Sequence, residues 1–143
     1  AGRTFSLRQV RDIPEVRALA ATIDAGTLTF DSGSAAIRAS EADSLADLGT
    51  LIQDLLAENP AEVFLIEGHT DAVGSDAANL ALSRERAAAI KKALTTYYVI
   101  SPENLETVGY GERYLKIPTA EAEQENRRVS VSRATSVFGE LED

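Results

Sequence analysis

The chain has 143 residues, 44% hydrophobic and 26% charged, the composition of a globular domain large enough to bury a core without disulfides or metals. A formal charge of −9 excludes a nucleic-acid backbone as partner, since phosphate binding needs a basic face, and the lack of cysteine excludes disulfides, thiolate nucleophiles and cysteine-bound metals. No apolar run reaches the roughly 20 residues of a membrane span; with Ala1 first and no methionine, the chain is expected to be a piece of something longer, any export signal or membrane anchor lying outside it.

Residues 1–22 are charged and uneven. Pro14 favours a helix start at Ile13 or Glu15, followed by Val16, Leu19 and Ala20, so a short peripheral helix is expected in this N-terminal extension. Residues 23–30 alternate loosely and end in the turn cluster Asp31-Ser32-Gly33-Ser34, which predicts a first strand. Ser40 with Glu41 and Asp43 has the form of a helix N-cap and acidic first turn. Beyond it Leu45, Leu48, Leu51, Ile52, Leu55 and Leu56 recur at helical spacing until Asn59-Pro60 ends the helix. Val63-Phe64-Leu65-Ile66 is a continuous apolar run, as expected of a central strand covered on both faces. A second helix is predicted from Asp76 to Tyr97 or Tyr98, then a strand over 105–110 and a last strand over 127–133, where Val129 and Val131 alternate with Ser130 and Ser132. Residues 134–143 form an acidic tail, expected to be loosely held. The order strand-helix-strand-helix-strand-strand implies an α/β two-layer sandwich, helices packed on a small mixed sheet, with one domain over 23–133.

The second helix carries the chemical argument. On a wheel of about 100° per residue, Arg84, Glu85, Ala88, Lys91, Lys92 and Thr95 share a polar half and Leu80, Leu82, Ala87, Ile90, Ala93 and Leu94 an apolar one. Asn79, Ser83 and Arg86 fall in the apolar half. An unpartnered guanidinium there would cost several kcal/mol, so Arg86 is expected to meet a carboxylate, the protein's own or a ligand's. Asp71, at the end of the central strand, is the obvious candidate, either sealed in a salt bridge with Arg86 or sharing an open pocket with it. An open pocket presenting an acid beside a fork of donors suits a zwitterion, an ammonium on Asp71 and a carboxylate on Arg86, with Asn79 and Ser83 on the same helix face.

Other chemistries are less well supplied. His69, the single histidine, lies near Ser75, but no G-x-S-x-G elbow is present and neighbouring strand residues point to opposite faces, which argues against a hydrolase. Glu67, His69 and Asp71 share a strand face, yet a zinc site usually wants a second histidine or a cysteine, so no metal is expected. Gly68 and Gly74 bracket a loop leading into a helix without the lysine or further glycines of a phosphate-binding loop; they are read as shaping that loop, and no cofactor is expected.

Four blocks in order, Gly68-His69-Thr70-Asp71-x-x-Gly74, Asn79-x-x-Leu82-Ser83-x-x-Arg86-Ala87, Gly109-Tyr110-Gly111-Glu112 and Asn126-Arg127-Arg128-Val129, resemble the OmpA-like peptidoglycan-binding domain found in OmpA, Pal and MotB. The resemblance runs from about Leu28 to Val131. It implies a non-enzymatic periplasmic domain, associated with the outer membrane or cell envelope, that holds the diaminopimelate of the peptidoglycan peptide stem. By the same resemblance Asp71 would take the ammonium and Arg86 the carboxylate, Asp31 and its neighbours in the first strand-to-helix loop would add backbone or side-chain contacts, and Thr70, Asn79, Leu82 and one of Arg127 or Arg128 would line the pocket. The remaining readings are a wall or ester hydrolase using His69 and Ser75, and an interaction domain whose site is vestigial.

Overall fold

The valine-serine alternation near the end of the sequence forms a strand that lies inside a four-stranded sheet, not at its edge. The structure is a computed structural model and describes residues 24–134 together with Gln9 and Asp12. The strands are β1 (Asp24–Thr29), β2 (Phe64–Gly68), β3 (Leu105–Gly109) and β4 (Arg128–Arg133), in the order β1-β4-β2-β3. β4 runs antiparallel to both β1 and β2, whereas β2 and β3 are parallel. A parallel pair needs a crossover, and helix α2 (Asp76–Tyr97) supplies it; α1 (Ala42–Glu58) connects β1 to β2. The mixed sheet and the element order agree with the sequence pattern. The short helix expected behind Pro14 and the tail after Ala134 lie outside the described residues. Among the described residues no helix is long and apolar enough to cross a membrane.

One layer of apolar side chains joins the helices to the sheet. Phe64 and Ile66 of β2, Val129 and Val131 of β4 and Leu28 of β1 meet Leu48 and Ile52 of α1 and Ile90 and Leu94 of α2, all buried. Leu65 and Glu67, on the opposite face of β2, are buried as well, which explains why this strand is apolar without alternation. Fully burying each such aliphatic or aromatic side chain contributes about 1.5–3 kcal/mol.

The start of α1 departs from the expected capping. Residues 39–41 form a 3-10 turn, and the residue at the cap position is Glu41, not Ser40. Glu41 makes no capping bond; its Oε2 instead accepts from Thr29 Oγ1 at 3.2 Å and from Arg38 Nη2 at 3.3 Å. An i,i+3 ion pair with Arg38 and a hydrogen bond from Thr29 on β1 take this carboxylate in place of a cap. α2 follows the capping rule, Ser75 Oγ accepting from the Ala78 N–H at 3.1 Å.

α2 lies unusually close to the sheet because two strand ends are glycine. A Cβ on Gly68 would sit 1.8 Å from the Ser83 carbonyl oxygen, and one on Gly109 would sit 2.5 Å from Ser83 Oγ. Gly68 is therefore required by contact with the helix backbone, which corrects its reading as a loop-shaping residue. Gly74 does shape the loop, with φ +99°.

Candidate functional site

The buried face of α2 includes Asn79, Ser83 and Arg86, as the wheel placed them. Arg86 is 0% exposed, but its partners are not the expected carboxylate. Its Nε donates to the Ser34 carbonyl at 2.8 Å, Nη1 to the His69 carbonyl at 2.9 Å and Nη2 to the Asp31 carbonyl at 3.0 Å. The turn after β1 and the end of β2 converge there with their carbonyl oxygens inward, and these dipoles solvate the cation. Phe30 closes the other side, its ring centre 5.3 Å from the guanidinium carbon. Burial lowers the Arg86 pKa from its ordinary value to about 10; nearby Asp71 opposes the shift and Arg127 adds to it. The group remains a cation at neutral pH, with two of its five N–H donors beyond these bonds.

Asp71 is neither sealed against Arg86 nor free. Its Oδ2 accepts from Arg127 Nη1 at 3.0 Å and from the Glu123 N–H at 3.3 Å, and its Oδ1 accepts from the Val73 N–H at 3.3 Å. Arg127 is held in turn by a 2.9 Å bond from its Nε to the Phe30 carbonyl. Of the two adjacent arginines, Arg127 faces Asp71, whereas Arg128 sends Nη2 to the Tyr114 carbonyl at 3.0 Å. Neighbouring residues entering a strand point to opposite sides, and so Arg128 is turned away from the site.

Asp71 and Arg86 line one cavity of about 180 Å³, together with Ser32, Gly33, Thr70, Val73, Asn79, Leu82 and Ala122. Thr70 Oγ1 is buried in this region without a hydrogen-bond partner, while its backbone N–H is spent on the Gly111 carbonyl at 2.9 Å. Asn79 Nδ2 donates to the Asp71 carbonyl at 3.3 Å and to Glu112 Oε1 at 2.9 Å, tying the loop after β2 to the loop after β3. Ser83 takes a structural part: its Oγ donates to the Leu80 carbonyl and accepts from the Gly111 N–H at 2.9 Å. Asp31 reaches the site through its carbonyl, its side chain turning outward to Arg38 at 3.2 Å. A larger cavity of about 610 Å³ lies between α2 and residues 109–113, with Arg84, Glu112 and Arg113 in its wall, and it contains neither Asp71 nor Arg86.

Several contributors escaped sequence reasoning. Ala122, Val73, the Glu123 N–H and the His69 carbonyl act through backbone or through small apolar contact, which any residue type could supply, whereas the Asp31 and Ser34 carbonyls are the backbone contacts expected of the first strand-to-helix loop. No side-chain signal marks the former.

The hydrolytic constellation is not assembled. His69 is fully buried, its Nε2 3.3 Å from Glu67 Oε1 and its ring 5.7 Å from that of Tyr110, while Ser75 lies exposed at the helix cap. Among the described residues no three of His, Asp and Glu converge as a metal site; Asp71 has gone to Arg127 and His69 to Glu67.

Comparison with known proteins gives the same outline. A family described as the OmpA family matches residues 29–129. Outer membrane porin F of Pseudomonas aeruginosa is 39% identical over 89 residues, which cover 61% of this chain and 25% of the porin, so the chain spans about a quarter of that relative. The solved peptidoglycan-associated lipoprotein of Burkholderia pseudomallei superimposes with a TM-score of 0.66 at 25% identity, covering 76% of this chain and 89% of that one. The C-terminal domain of Helicobacter pylori MotB superimposes at 0.67 with 24% identity, covering 76% and 84%, and has the same fold.

Proposed function

The chain belongs to the OmpA family, and from that membership and the cavity between Asp71 and Arg86 we propose that residues 23–133 are a non-catalytic module that binds peptidoglycan and tethers an envelope protein to the cell wall. The ligand group is the zwitterionic end of diaminopimelate in the peptide stem. The observation that carries this reading is a fully buried arginine whose bonds go to three carbonyls and to no carboxylate, lining a cavity beside an acid. The charged side chains lining the cavity are Arg86 and Asp71, one of each sign, as a ligand carrying both signs requires. A ligand carboxylate takes the remaining Arg86 donors in a water-poor setting. The ligand ammonium takes the Asp71 carboxylate and Thr70 Oγ1, which has no partner in the free protein.

The name of the Burkholderia relative and the outer-membrane setting of the porin support an envelope location, with any anchor lying outside this sequence. The separation of Ser75 from His69 supports binding without hydrolysis. The vestigial-site reading needs Asp71 and Arg86 bonded to each other, and they are not.

The test is sedimentation with insoluble diaminopimelate-containing peptidoglycan, competed by free meso-diaminopimelate. Wild-type protein pellets with the wall, free diaminopimelate releases it, and Asp71→Ala and Arg86→Ala remain in the supernatant while keeping the wild-type circular dichroism. Both variants sedimenting like wild type would end the clamp. A fall in turbidity of the wall suspension, lost in His69→Ala, would move the assignment to a hydrolase.

A further inference from the structure

We propose that Arg38 is a positioning residue for this site, setting the spacing of Arg86 and Asp71 although it bonds to neither; the inference rests on the zwitterion reading above. Arg38 stands where the turn after β1 meets the loop before β4. Its Nη1 donates to Asp31 Oδ1 at 3.2 Å and to Gln124 Oε1 at 3.3 Å, and its Nη2 donates to Glu41 Oε2 at 3.3 Å and to Thr29 Oγ1.

Two of those partners belong to segments that hold the charged pair. Asp31 gives its carbonyl to Arg86, and Ser34, between Asp31 and Arg38, gives another. Gln124 follows Glu123, whose N–H holds Asp71 Oδ2. One guanidinium therefore fastens the segment that fixes Arg86 to the segment that fixes Asp71. Any single link is weak, since the Asp31 side chain is 67% exposed. The planar fork makes all four at once, which a lysine cannot reproduce. Loosening it lets the two charged groups drift apart, and a rigid zwitterion with a fixed distance between its charges loses one contact or the other.

The experiment compares wild type, Arg38→Lys, Arg38→Ala and the surface variant Gln124→Ala. It reads the Kd for free meso-diaminopimelate, the Tm, and the solvent exchange of the Arg86 Nε–H, which reports the bond to Ser34. Both Arg38 variants should bind about tenfold more weakly and Gln124→Ala about threefold. Arg86 Nε–H exchange should be faster in all three, and the Tm of Gln124→Ala should be unchanged. Charge retained in Arg38→Lys with wild-type affinity, or Arg86 exchange unaltered in both Arg38→Lys and Gln124→Ala, would overturn the proposal. If wild type binds no diaminopimelate yet Arg86 exchange still accelerates, the functional reading falls and the positioning role stands.

Discussion

At Arg86 the protein keeps a cation inside by surrounding it with carbonyl oxygens. Desolvation pulls its pKa down to about 10, and a bound carboxylate opposes that pull by favouring the charged form. We predict that the guanidinium carbon resonance of Arg86 titrates with a midpoint near 10 in the free protein and at higher pH when diaminopimelate is bound. An unmoved midpoint at saturating ligand would mean that the carboxylate sits elsewhere. Thr70 offers a complementary check. Its buried hydroxyl has no partner, so Thr70→Val should raise the stability of the free protein by about 1 kcal/mol in urea unfolding while weakening diaminopimelate binding. A drop in stability would show that the hydroxyl is already satisfied.

The elements of secondary structure explain why these residues meet. α2 sits against the strand ends so tightly that Gly68→Ala must push the helix backbone away. A loss of about 3 kcal/mol or more, or failure to fold, is expected, measured by chemical denaturation. Ser75→Ala removes the α2 cap and should cost about 1 kcal/mol without changing the amount of protein that pellets with peptidoglycan. Loss of binding in that variant would restore a chemical part to Ser75. The same elements show what could be read beforehand. The wheel that put Arg86, Asn79 and Ser83 on the buried face of α2 needed only helical periodicity, and the apolar run of β2 needed only burial on both sides. The partner of Asp71 was not readable in that way, because it depends on how the loop over 119–127 folds back. The resemblance left Arg127 and Arg128 as alternatives, and strand alternation, set by the register of β4, separated them. Of the carbonyls around Arg86, those of Asp31 and Ser34 come from the loop the resemblance pointed to, whereas that of His69 was invisible for another reason: a backbone oxygen has no letter in the sequence. At the start of α1 the 3-10 turn over 39–41 moves the cap position from Ser40 to Glu41, whose carboxylate goes to Arg38 three residues back and to Thr29 on β1, the latter a contact that local capping rules do not contain.

The whole molecule suits a weak, repeated grip. Its cavity of about 180 Å³ holds only the head of a ligand, so a single contact should be modest in affinity. On the proposed reading a wall would present the same group many times, and an anchored protein held near it would rebind at high local concentration. β4 is the last of the described strands in sequence order, yet it lies between β1 and β2 and bonds to both. β2, α2 and β3 pair and pack without it, but β1 has no other partner in the sheet, and Arg127, at the threshold of β4, is what holds Asp71. One segment thus both fastens β1 to the rest of the domain and finishes the pocket, so a lesion that frays β4 should undo the two together.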